Sequence, residues 1–201
     1  MVKVSKTVSE LEDLLQDDDQ LVPITYILSI IAENYPKLIS DRLIEKAKPF
    51  IKSENEKLRI NTISIIGFLI LNSPNLIEQY FDLFVQLLID KSLDVRNNIH
   101  FFLHEFLMLE YNWFENYTDL ILKALKLENK KENILSLLKY LNYSKTLNFE
   151  QLIDFRITSK IIISNNVFDN FLSIKENLYM LIKKFYPSLG EIDDLRIEEV
   201  E

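Results

Sequence analysis

The chain nearly repeats itself every 37 to 38 residues, and a period of that size leaves few folds open. Lys57-Leu58-Arg59-Ile60-Asn61 lies 37 positions before Asp94-Val95-Arg96-Asn97-Asn98, and each segment leads into a long apolar run. Asn34-Tyr35-Pro36 lies 38 positions before Asn72-Ser73-Pro74, and each closes such a run. Tyr80-Phe81-Asp82-Leu83 returns 37 positions later as Tyr117-Thr118-Asp119-Leu120. With apolar residues at helical spacing, this period predicts stacked helix pairs. Each pair is too small to bury its own apolar face and relies on its neighbours. The expected fold is therefore all-α, a right-handed α-α superhelix of about five helix pairs. It should fill residues 1–187 as one domain, followed by an acidic tail over 188–201.

Composition agrees with helices and narrows the chemistry. Hydrophobic residues make up 48% of the chain, ample for a continuous core, while two glycines and five prolines are few for a sheet-rich fold. The absence of cysteine excludes disulfides, thiolate nucleophiles and Cys-ligated metals, and fits a reducing compartment. The N-terminal Met1-Val2-Lys3-Val4-Ser5-Lys6 has no apolar h-region, so no signal peptide is expected. No apolar run is long enough to predict a transmembrane segment. Cytoplasmic localisation is the default expectation.

The net charge of −8 is unevenly placed. Residues 1–20 hold six acids against Lys3 and Lys6, and residues 187–201 hold six against Arg196 alone. The remaining 20 bases and 19 acids nearly cancel over residues 21–186. A nucleic-acid binder draws most of its affinity from neutralising phosphate and shows a basic excess or stripe, which this chain lacks.

Element by element, the pattern predicts a first helix over Thr7–Gln16, with Ser9 and Asp13 near its start, and a second over Val22–Glu33 with Pro23 in its first turn. Pro36 opens the third, and a fourth over Glu54–Leu71 is apolar most of the way round. Ser73-Pro74 reads as an N-cap and N1 proline for a fifth helix reaching Ile89, and Ser92 caps a sixth ending near Glu110. Val95, Ile99, Phe102, Leu103 and Phe106 form the buried stripe of that sixth helix. Asn112–Leu127 and Lys131–Tyr143 make the next pair. Phe149 begins a ninth helix that must carry the β-branched run Ile157–Ile163, since a lone strand would leave its backbone unpaired. Val167–Tyr186 is the last.

Asp90-x4-Val95-Arg96, set between two amphipathic helices, resembles the HEAT-repeat motif, with Glu54-x3-Leu58-Arg59 as a weaker counterpart. The resemblance covers residues 21–128. It implies a side-chain ladder joining successive repeats, with Asp90 and Arg96 in the two roles and Glu54 and Arg59 as a degenerate set. Asn133 stands at the next arginine position and departs from the pattern. HEAT-like stacks serve as coat adaptors, chromosome-organising subunits, transport receptors, phosphatase scaffolds and a few enzymes, so the fold leaves function open.

His100 and His104, the only histidines, are four apart on the sixth helix, and Glu105 follows. Such a pair can share a metal, but a site needs further ligands and no other His exists, so no metal, cofactor or catalytic centre is expected. Both lie off the Val95/Ile99/Phe106 stripe and read as solvated or interface residues. Asn97, Phe101, His104 and Met108 form a second ridge on the helix. At the repeat offset Phe101 corresponds to Ser64 and Tyr26, and His104 to Gly67 and Ser29. Second helices of such pairs usually line the concave face, which makes Tyr26, Ser64, Asn97, Phe101, His104 and Met108 a candidate partner surface, with Trp113 beside them as a candidate hot spot. The competing reading is that Ser29 and Gly67 simply let helices approach closely.

Lys123, Lys126, Lys130 and Lys131, and Arg42 through Lys57, are basic clusters interleaved with Glu45, Glu54, Glu128 and Glu132, as on a salt-bridged solvated face. The tail mixes Ile192, Leu195, Ile197 and Val200 with acids, which reads either as a disordered solubilising end or as a linear motif that docks on a basic groove in another protein or a second copy. The expected function is a non-enzymatic protein-interaction scaffold or adaptor, with an unknown protein partner held by the concave face or the tail. A nucleic-acid-binding module and a membrane-coat or trafficking adaptor are the alternatives.

Overall fold

In the computed structural model, residues 2–16, 18–109, 113–164 and 172–186 are described, and no strand occurs among them. Contacts divide the chain into two compact units, Met1–Glu110 and Tyr111–Glu201.

The first unit holds six helices. They are α1 (Val2–Asp13), α2 (Leu21–Asn34), α3 (Asp41–Ala47), α4 (Glu56–Asn72), α5 (Ile77–Gln86) and α6 (Leu93–Leu107). The second helices α2, α4 and α6 lie side by side, with α4 in the middle. That position explains why α4 is apolar nearly all round: Leu58, Ile63, Ile65, Ile66, Leu69 and Ile70 are all buried. Polar ties join the first helices. Glu12 of α1 is buried and accepts from Arg42 Nε of α3 at 2.9 Å, and Lys48, just past α3, sits 5.5 Å from the ring centre of Tyr80 in α5.

Several boundaries differ from the sequence expectation, each for a local reason. The first helix begins at Val2, so Ser9 lies inside it and caps nothing. Pro36 opens only a short 3-10 turn, Pro36–Leu38. The helix proper starts at Asp41, where the Ser40 hydroxyl accepts from Leu43 N at 3.1 Å. Pro74 likewise opens a 3-10 turn, Pro74–Leu76, and Ser73 makes no side-chain cap. Ser92 does cap α6, accepting from Val95 N at 3.3 Å.

The second unit holds α7 (Thr118–Leu127), α8 (Lys131–Leu141), α9 (Phe149–Ser164) and α10 (Leu172–Phe185), preceded by a 3-10 turn at Trp113–Tyr117. Helix α9 runs unbroken through Ile157-Thr158-Ser159-Lys160-Ile161-Ile162-Ile163, so packing overrides the strand preference of that run. A reciprocal capping box starts it: Asn148 Oδ1 accepts from Gln151 N and Gln151 Oε1 accepts from Asn148 N, both at 2.9 Å. Helix α7 packs on α8 and α9, and α10 on α8 and α9. Phe114 stacks on buried Tyr140 with centroids 4.4 Å apart and planes 7° apart, tying the 3-10 turn to α8. The expected acidic tail, and residues 167–171 of the last expected helix, lie outside the described residues.

Candidate interaction surface

The turns that lead into α4 and α6 are built alike. Arg59 Nη1 donates back six residues to Ser53 O at 2.8 Å, and Arg96 Nη1 donates back six residues to Asp90 O at 2.8 Å. The two turns are then joined across the repeat. Arg59 Nη2 donates to Asp90 Oδ1 at 2.8 Å, and the same oxygen accepts from Ser92 N at 2.7 Å. Glu54 pairs with Lys91 beside them, and that ammonium, donating to it, holds the Glu54 carboxyl below its usual range. Asp90 thus pairs across the repeat with Arg59, while Arg96 holds the Asp90 main chain. In the loop before α8, Glu128 Oε1 accepts from Asn129 N and Lys130 N, and Asn133 Nδ2 donates to Glu128 Oε2 at 3.1 Å. Asn133 therefore steadies the acid of its own loop.

A second ladder runs between the second helices, and sequence reasoning missed it. Asn61 Nδ2 donates to Val22 O at 3.2 Å and Thr25 Oγ1 at 3.0 Å. Asn98 Nδ2, 37 positions later, donates to Ile60 O and Ser64 Oγ, both at 3.1 Å. The signal was visible as the shared asparagine of the repeat. What the periodicity could not say is that these side chains cross to the preceding helix.

Close approach of α4 and α6 depends on Gly67. A methyl group there would lie 2.4 Å from Phe102 Cδ1, and Phe102 is fully buried against Phe68 and Phe84. The ring that needs the glycine is Phe102, whereas Phe101, the residue at the repeat offset of Ser64, turns outward and touches Phe102 edge-on at 5.0 Å.

Much of the exposed remainder of this face is apolar. Tyr26, Ile27 and Ile30 of α2 are exposed, as are Phe101 and His104 of α6, and Met108 just beyond it is 72% exposed. Ser64 and Asn97 are half-buried. Between α2 and α4 an open groove of about 420 Å³ is lined by Val22, Pro23, Tyr26, Lys57, Ile60 and Asn61. Trp113 belongs to the other compact unit, where it is half-buried.

The two histidines do not share an environment. His100 is only 5% exposed, which corrects its reading as a solvated residue, while His104 is exposed. Helix α6 is packed by both α4 and α5, so its buried arc is wider than the single stripe the wheel suggested. No group of three metal-ligating side chains occurs among the described residues. The basic clusters are partly paired: Arg42 and Lys46 with Glu12, and Lys126 with Asp154 at 2.7 Å.

These features define an all-α protein of packed helices. No protein-family model matches the chain, and no curated protein matches it. Among solved structures, the crystal structure of an engineered protein resembles it with a TM-score of 0.53. The match is 12% identical and covers 85% of this chain and 76% of that one, a likeness of fold alone. No helix among the described residues is long and apolar enough to cross a membrane.

Proposed function

We propose that this chain is a HEAT-like repeat scaffold or adaptor, its helix pairs continuing as a right-handed superhelix, that binds a protein partner on the face shared by α2, α4 and α6. The supporting observation is the row of large apolar side chains left in solvent there, Tyr26, Ile30, Phe101 and Met108, beside an apolar groove. Apolar contact with rotatable Met and aromatic side chains suits an amphipathic helix laid across the face. The nearly neutral charge of residues 21–186 favours a protein partner over nucleic acid.

The test compares wild type with a Tyr26→Ala, Phe101→Ala, Met108→Ala triple variant in quantitative capture from nuclease-treated native lysate. All three side chains are exposed, so thermal stability should be unchanged. At least a tenfold loss of one stoichiometric protein in the variant is expected, about 1.4 kcal/mol of binding. Equal capture by both proteins rejects this face as the binding surface.

A further inference from the structure

The second unit carries an apolar face of its own. Phe149, Ile153, Ile157 and Ile161 follow one another at i+4 spacing along α9 and are 43% to 76% exposed. Side chains four apart on a helix stand one above the other, so the four make a continuous stripe. The opposite side of the helix, with Phe155, Thr158, Ser159 and Ile162, is buried. Phe185 of α10 meets Phe155 on that buried side, with ring centroids 5.8 Å apart.

The two flanks of the stripe carry opposite charge. At the helical turn angle, Arg156 and Lys160 fall along one edge and Glu150 and Asp154 along the other. Arg156 and Glu150 are exposed, and Lys160 and Asp154 are half-buried, Asp154 at 2.7 Å from Lys126 of α7. An anionic lipid surface would favour bases on both edges of the apolar stripe, so the acidic edge counts against a membrane. The charge pattern instead complements itself. If two copies lay stripe to stripe about a two-fold axis with their α9 helices running the same way, the basic edge of each would face the acidic edge of the other. Helices running opposite ways would set like charge against like. The spacing also fits the parallel arrangement. Arg156 stands six positions after Glu150, and Lys160 six after Asp154. That is a rise of about 9 Å, and long side chains on a helix lean back toward its N-terminus, which carries each base toward an acid of the other copy.

We infer that the α9 stripe is a homodimer interface, occupied by the α9 of a second copy in parallel orientation. Ile153 and Ile157 then pack on their own counterparts at the centre. Arg156 and Lys160 of each copy face Glu150 and Asp154 of the other, which fixes the direction of the pairing.

Sedimentation over a concentration series tests this on the full chain, with circular dichroism to check that each variant folds. Wild type should dimerise. Arg156→Glu with Lys160→Glu makes both edges acidic, and Glu150→Lys with Asp154→Lys makes both basic. Each double variant alone should dimerise about tenfold more weakly or less, and an equimolar mixture of the two should recover a dimer. Wild type that stays monomeric throughout the series overturns the proposal, as does a dimer that neither reversal weakens. The direction is read separately. The chain has no cysteine, so single cysteines report without background. Ile153→Cys and Ile157→Cys should each form a disulfide-linked dimer on oxidation, because a parallel pair brings every stripe residue to its own counterpart. An antiparallel pair can do so at one position at most, so self-linking at only one of the two overturns the parallel assignment.

Discussion

At the scale of single residues, Gly67 decides more than its size suggests. Its missing Cβ is the space that the Phe102 ring fills, and Phe102 in turn meets Phe68, Phe84 and Phe106. Gly67→Ala improves helix propensity, yet overpacking against a ring with no room to move should dominate, a net loss of about 1–3 kcal/mol. Urea denaturation measures it, and the loss should shrink in a Phe102→Leu background, where the space reopens. An unchanged or raised midpoint in Gly67→Ala would mean the two helices can part at no cost. The sequence offered close approach at Gly67 as one reading, but the partner ring, Phe102, is set by tertiary packing. His100 shows the opposite limit, since a helical wheel has no knowledge of how many neighbours a helix has.

Among the elements, the turns entering α4 and α6 are the strongest local devices. Arg59 and Asp90 form a pair whose side chains are 5% and 9% exposed, joining turns 31 residues apart. Asp90→Ala leaves that guanidinium buried without its counter-charge, with an expected cost of about 3–5 kcal/mol. The exposed Glu54–Lys91 pair beside it is screened by solvent, so Glu54→Gln should leave the urea midpoint unchanged. Similar midpoints for the two variants would show that the Arg59–Asp90 pair does not carry the connection. Boundaries were the least legible feature at this scale. Pro36 and Pro74 fit helix starts by rule, and both instead open 3-10 turns ahead of the helix. A proline constrains its own φ, whereas the helix begins where the following residues find packing and a cap, as at Ser40.

For the molecule as a whole, alkaline titration reads the packing within each of the two units. Burial raises the Tyr140 phenol far above its ordinary value, and raises Tyr80 and Tyr186 as well. A folded pKa above the unfolded one keeps its stabilising contribution below the unfolded value, about pH 10, and loses it as pH rises further. Stability should therefore hold to about pH 10 and fall steeply above it. Tyr140→Phe should flatten that fall more than Tyr80→Phe, because Tyr140 is the more buried and the more shifted. Urea midpoints across pH 8 to about 11.5 measure this, and an identical slope in Tyr140→Phe would mean the phenol ionises freely in the folded state. By itself the sequence determined that the chain is helical, where most helices lie and which stripe of α6 is buried, because period and apolar spacing are local properties of the chain. Which face of each unit is left in solvent, which asparagines cross between helices and which arginine meets Asp90 were decided only by tertiary structure. Burial and pairing depend on residues 31 to 39 positions away, and those distances exist only once the helices have packed.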